Sequence, residues 1–192
     1  MAKGQSIVGR KVNIEYDLYE TPREATEKIL NALIEDKVIN TVIDEFYECC
    51  SGAGAITSVL DAYDITYKAS DIQTKDYIAG TRGVDIYQLP DKCCTNIITN
   101  PPYDLMTKNN MLDEFLRIST DKVILLLNIF FLASDKRKEM LKKSHLKYVY
   151  IHSDRLTMYP YGTEKPESTG TKMFAWYLFD HNYNGEPIIR WL

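Results

Sequence analysis

Apolar positions recur along this chain in two alternating rhythms, one helical and one strand-like. In 21–39, Ala25, Ile29, Leu30, Leu33 and Ile34 form a stripe at helical spacing. Thr21 is placed to cap that helix, with Pro22 at its first position. Residues 42–50 predict a strand, 55–63 a helix, and 65–70 a short strand ending at Asp71. A strand over 95–99 and a helix over 109–118 follow, the helix with Met111, Leu112, Phe115 and Leu116 on one face. The stretch 123–132 is almost unbroken in its apolar character, as expected of a strand covered on both faces. Beyond it lie a helix over 134–144 with Ser134 as cap, a strand over 146–152, and a polar loop over 154–171. Strands over 172–179 and 188–192 complete the pattern. Strands alternating with helices predict an α/β domain with a mostly parallel sheet.

Composition narrows this picture. At 192 residues with 45% hydrophobic content, one domain spanning 1–192 is expected. The longest apolar run is too short to span a bilayer. The first residues lack the apolar core of a signal peptide, so a cytoplasmic, membrane-free protein is expected. A net charge of -4 argues against a tight grip on nucleic acid by bulk electrostatics. Yet Lys136, Arg137, Lys138, Lys142, Lys143 and Lys147 cluster, as a solvated helix face or as a phosphate-contacting patch. Cys49-Cys50 and Cys93-Cys94 lack metal-ligand spacing and read as buried, reduced thiols. No metal is expected.

The candidate chemistry sits at strand ends. Asn100-Pro101-Pro102-Tyr103 directly follows the 95–99 strand. Asn100 precedes a proline and is driven to extended geometry, and both prolines fix φ and lack an N–H. The resulting stiff turn offers two acceptors, the Asn100 amide oxygen and the Pro101 carbonyl, with the flat ring of Tyr103 beside them. Such a turn can take both hydrogens of a planar NH₂ group. Earlier in the chain, Glu48-Cys49-Cys50-Ser51-Gly52-Ala53-Gly54 ends one strand and opens a helix. Gly52 and Gly54 permit a tight turn and close approach to a ligand. This is neither a dinucleotide fingerprint nor a phosphate-cradling loop. Asp71 ends the next strand, within reach of a ribose diol, and Asp85 is placed to accept from an adenine amine. All of these fall at the edge where open α/β sheets bind ligands.

Taken together, these motifs resemble the S-adenosylmethionine-dependent N6-adenine DNA methyltransferases, especially small Dam-like and phage-encoded members. Asn100, Pro101, Pro102 and Tyr103 look like the catalytic motif of that family. The Glu48 to Gly54 turn looks like its methionine-binding loop, and Tyr19-Glu20-Thr21-Pro22 like its N-terminal cofactor motif. Asp71 and Asp85 fall where the family places acids for the cofactor ribose and adenine. Lys172-Met173-Phe174-Ala175-Trp176-Tyr177, with Asp180, looks like a late strand of the phage members.

The resemblance implies a Rossmann-like methyltransferase fold: a mostly parallel seven-stranded sheet with one late antiparallel strand and helices on both faces. It implies S-adenosylmethionine as cofactor, DNA as partner, and a target adenine turned out of the helix to stack on Tyr103. Many members carry a separate target-recognition domain, but here there is no room for one between Asp85 and Asn100 and only a dozen residues follow Asp180, so none is expected. Sequence choice would then fall to the loops at 104–110 and 155–171, with Arg155, Tyr159, Tyr161 and Lys165, or to a partner protein. The same tetrapeptide occurs in enzymes that methylate a protein glutamine amide, and related turns occur in RNA-base methyltransferases. A catalytically silent binding subunit is the remaining alternative.

Overall fold

In a computed structural model, residues 18–108, 110–164 and 172–192 are described. The strands are β1 (Tyr19–Glu20), β2 (Phe46–Glu48), β3 (Tyr67–Asp71), β4 (Thr81–Arg82), β5 (Cys94–Thr99), β6 (Ser119–Asn128), β7 (Leu146–Ile151), β8 (Tyr159–Pro160), β9 (Phe174–Asp180) and β10 (Ile188–Trp191). The helices are α1 (Arg23–Glu35), α2 (Thr57–Ala62), α3 (Tyr103–Lys108), α4 (Met111–Ile118) and α5 (Asp135–Lys143).

Eight strands form one sheet in the order β10-β7-β9-β6-β5-β2-β3-β4. Only β9 runs antiparallel, inserted between β6 and β7. The expected seven strands are present, and the eighth is the two-residue β4, which pairs with the end of β3. From β2 the chain moves outward through β3 and β4, then returns to the other side of β2 as β5. The sheet order therefore reverses between β2 and β5, and a crevice opens outside their carboxyl ends.

Alternation along the central strands builds a core on each face. Ile124 and Leu126 of β6 and Trp176 and Leu178 of β9 pack with Ala25, Ile29, Leu30 and Leu33 of α1 and Val59 and Leu60 of α2. The opposite positions, Val123, Leu125, Leu127, Tyr177 and Phe179, pack with Leu112 and Phe115 of α4 and Leu141 of α5. Every residue of β9 is buried. The buried Trp176 indole donates to the Ala25 carbonyl at 3.1 Å, tying β9 to α1.

Local chemistry shortens several expected elements. The apolar run 123–132 is not one strand: β6 stops at Asn128, and Ile129–Leu132 is a 3₁₀ turn. The Asn128 side chain accepts from the Phe130 N–H at 2.9 Å and ends the extended backbone there. The strand expected over 42–50 shrinks to β2, because Asn40 and Asp44 exchange hydrogen bonds that fold 40–44 into a turn. Pro22, and not Thr21, occupies the cap position of α1, and no side-chain cap bond forms there. Ser134 holds the cap position of α5, also without a side-chain bond. Residues 104–108, part of the loop expected over 104–110, are helical, in α3, which begins at Tyr103 itself. All four cysteines are free, but only Cys49 is buried, and Cys93 is exposed. Among the described residues no cluster of metal-ligating side chains occurs, and no helix is long and apolar enough to cross a membrane.

Candidate active site

The crevice at the sheet reversal deepens into a cavity of about 940 Å³. Its lining brings together Tyr19, Thr21, Glu48, Gly52, Asp71, Asp85, Asn100, Pro101, Pro102 and Tyr103. Two expected residues lie outside it. Pro22 faces a smaller adjoining hollow. Gly54 serves the turn itself: its φ is +90°, and an added Cβ would press on Ala79 and Thr57 at 3.0 Å. The volume falls in the range of sites that enclose a cofactor-sized molecule.

β5 delivers Asn100 to the cavity, and a chain of hydrogen bonds fixes its amide. Tyr103 Oη donates to Asn100 Oδ1 at 2.8 Å, and Asn100 Nδ2 donates to Thr21 Oγ1 at 3.0 Å. With one lone pair taken by Tyr103, the amide oxygen keeps a second for a ligand. Among the described residues, no hydrogen bond reaches the Pro101 carbonyl. Tyr103 is half-buried at the start of α3, and its ring lies 6.0 Å from that of Phe174, tilted by 39°. Thr21 thus spends its hydroxyl on the tetrapeptide and not on capping α1.

The turn after β2 is built around two carboxylates. Asp71 is almost fully buried and accepts from Gly52 N at 3.0 Å and from Gln73 N at 2.8 Å. It therefore holds the glycine turn in shape, and a carboxylate with about four acceptor sites has capacity left for a ligand hydroxyl. At Gly52, φ is +49° and an added Cβ would meet Leu18 Cδ1 at 2.6 Å, so only glycine fits. Glu48 is buried, with Oε1 accepting from Cys50 N at 3.0 Å. Its Oε2 has no hydrogen-bond partner among the described residues. Burial pushes the Glu48 carboxyl up to about 8, the nearby Asp71 charge adds to the rise, and the Cys50 N–H opposes it. Asp85 accepts from Tyr87 N at 3.0 Å and Gln88 Nε2 at 3.3 Å, so it also shapes its own loop.

Other lining residues escaped sequence reasoning. Ile72, 61% exposed, Ile86 and Met111 add apolar wall, as do Leu156 and Met158 from the loop after β7. That loop is not free. β8 pairs antiparallel with β1, Tyr19 opposite Pro160 and Glu20 opposite Tyr159. The Tyr161 ring lies 4.6 Å from that of Tyr77. Of the two tyrosines expected to face nucleic acid, Tyr159 is paired with β1 and lines the smaller adjoining hollow, and Tyr161 packs against Tyr77. Lys165 lies outside the described residues.

No family model and no curated protein matches the sequence. Solved structures do match its fold. A candidate RNA methyltransferase from Pyrococcus horikoshii superposes with a TM-score of 0.62 at 13% identity, covering 86% of this chain and 87% of that one. The modification subunit of a candidate type I restriction enzyme from Vibrio vulnificus YJ016 gives 0.59 at 13% identity, covering 92% of this chain but 46% of that one. Magnesium protoporphyrin IX methyltransferase from Synechocystis PCC 6803, solved with S-adenosylmethionine bound, gives 0.53 at 12% identity, over 82% and 79% of the chains. The chain thus has the Rossmann-like fold of methyltransferases, as the resemblance of its motifs implied.

Proposed function

We propose that this protein transfers a methyl group from S-adenosylmethionine to the N6 amine of adenine in DNA. The observation that carries the reading is the Thr21–Asn100–Tyr103 hydrogen-bond chain, which aims an amide oxygen into the same cavity that holds Glu48 and the glycine turn. When bound, S-adenosylmethionine supplies an electrophilic methyl on a sulfonium. The cavity suits it on two counts: the unpartnered Glu48 oxygen fits an ammonium group, and Asp71 retains acceptor capacity for a ribose hydroxyl.

On the acceptor side, the adenine amine is a poor nucleophile because its lone pair is delocalised into the ring. Asn100 Oδ1 and the Pro101 carbonyl would each accept one amine hydrogen, drawing the nitrogen towards tetrahedral geometry and freeing the lone pair. Fixed orientation supplies much of the remaining acceleration. The amine proton is lost to water after the new bond forms, so no strong base is needed. Tyr103 and Phe174 offer aromatic surface to a base entering the cavity. Choice of target sequence would rest with the loops around the cavity or with a partner protein.

The test is parallel incubation of the protein and labelled S-adenosylmethionine with duplex DNA, RNA and protein acceptors. Nucleoside digestion should then place the label in N6-methyladenine from DNA. Label confined to RNA or to a glutamine side chain would replace this substrate with that one.

A further inference from the structure

Phe130 is 66% exposed, yet the backbone of Phe130 and Phe131 is pinned at three points. Its N–H donates to Asn128 Oδ1 at 2.9 Å, and its carbonyl accepts from Arg137 Nη2 at 3.0 Å. The neighbouring Phe131 carbonyl accepts from Arg137 Nε at 2.8 Å. A rigid pedestal thus holds an aromatic side chain out in solvent. Beside it, Ile129 N donates to the carbonyl of Met173, whose side chain is 46% exposed. Met173 precedes Phe174, whose ring faces Tyr103 of the catalytic turn. A continuous run of contacts therefore joins the cavity to Phe130.

The charge around this apolar pair is positive, although the chain as a whole is acidic. Lys172 is exposed on the cavity rim. The first turn of α5, anchored to Phe130 by Arg137, carries exposed Lys136 and Lys138, with Asp135 as its acid. Among the described residues neither lysine forms an ion pair, whereas Lys142 further along the helix reaches Glu139 at 3.8 Å. Phe130 follows the carboxyl end of β6, beside the β5 end that leads to Asn100, and unpaired cations with an exposed aromatic group on that edge are complementary to a phosphate backbone with stacked bases between.

We propose that Phe130, Met173, Lys172 and the first turn of α5 seat duplex DNA at the cavity mouth, with Phe130 filling the gap left in the base stack by the extruded adenine. The proposal rests on the adenine reading of the cavity and names how its substrate is held. Duplex DNA is the occupant because only a stacked helix loses a base on extrusion and gains from a replacement ring. A single strand needs no such filler.

The experiment compares three probes: an adenine-containing duplex, its single strand, and the same duplex with an abasic site opposite the adenine. Anisotropy gives affinity and single-turnover transfer gives the rate. Phe130→Ala should lose about tenfold on the intact duplex and less than about twofold on the single strand. The duplex whose adenine is already unpaired, and so cheaper to extrude, should recover part of the loss. A Lys136→Gln, Lys138→Gln double variant should flatten the slope of log affinity against log salt by about 1.8, two phosphate contacts' worth. S-adenosylmethionine affinity and melting should stay at the unsubstituted values in both variants, since these side chains lie at the surface. Equal behaviour of Phe130→Ala and unsubstituted protein on all probes overturns the proposal. So does an equal loss on duplex and single strand. A changed sedimentation coefficient with unaltered DNA binding overturns it too, making this face a contact between copies. If duplex binding depends on Phe130 but methyl goes only to RNA or protein, the surface stands and the adenine reading falls.

Discussion

Glu48 provides the sharpest quantitative handle on the cavity. Its folded-state pKa of about 8 lies above the ordinary 4.5, so between those values the folded chain holds a proton that the unfolded chain has lost. Stability from this group is therefore full below pH 4.5 and declines as pH rises towards 8. A gap of that size corresponds to about 5 kcal/mol at 1.36 kcal/mol per unit. The same carboxyl is proposed to meet the ammonium group of S-adenosylmethionine, which requires it ionised. At pH 7 a group with that pKa is about 0.9 protonated, so binding should expel about 0.9 proton per cofactor. Observed affinity should rise about tenfold from pH 6 to 7 and level off near 8. Above that, loss of the cofactor's own ammonium proton, near pH 7.7–8.0 for an α-amino group, turns it down again. The assay is titration calorimetry at pH 7 in buffers of differing ionisation enthalpy, whose slope counts the protons. Glu48→Gln should abolish the proton release, weaken binding, and raise the melting temperature relative to the unsubstituted protein at pH 8. A binding enthalpy independent of buffer would refute the assignment of Glu48 to the cofactor amine.

Three further outcomes are expected. Asn100→Ala should lower single-turnover methyl transfer at least tenfold while leaving S-adenosylmethionine affinity within about twofold, because the amide acts mainly as the amine becomes tetrahedral; equal losses in both would assign it a binding role. Tyr103→Phe keeps the ring but frees Asn100 Oδ1, so transfer should fall by the worth of one hydrogen bond, about 1 kcal/mol or fivefold. Tyr103→Ala should lose more, since stacking contributes about 1–3 kcal/mol per base, and a phenylalanine variant as impaired as the alanine one would contradict this division. Asp71→Ala removes one backbone contact to the glycine turn, at Gly52, and one to its own loop, at Gln73, and should cost about 3 kcal/mol in chemical denaturation as well as weakening the cofactor; weakened binding at unchanged stability would mean that Asp71 serves the ligand alone.

Much of the site was legible because its parts are local. A glycine turn after one strand and a proline-stiffened turn after another each announce themselves within a few residues. The alternation of strand and helix places both at one edge. What the sequence hid is nonlocal or decided by single polar side chains. Nothing around Tyr159 or Tyr19 signals that two-residue strands will pair there. Tyr161 reads as a free loop aromatic until Tyr77, from another part of the chain, comes beneath it. The apolar run through Leu132 reads as strand throughout, because the Asn128 side chain, and not hydrophobicity, ends it. Thr21 reads as a helix cap, and only the fold shows that the Asn100 amide competes for its hydroxyl.

The antiparallel placement of β9 has a consequence for how such a protein can diversify. The chain leaves the sheet after Ile151 and re-enters it at Phe174, one strand over and at the same edge, since Ile151 pairs with Ala175. Everything between is an excursion whose two ends are fixed about one strand spacing apart, roughly 5 Å. Lengthening an excursion of that kind is cheap: each doubling of a flexible loop costs only about 0.6 kcal/mol in closure entropy. The segment departs and returns at the sheet edge that carries the proposed site, so added residues would emerge beside that site and leave the sheet untouched. The architecture thus leaves one stretch free to lengthen without disturbing the strands that carry Asn100 and Asp71.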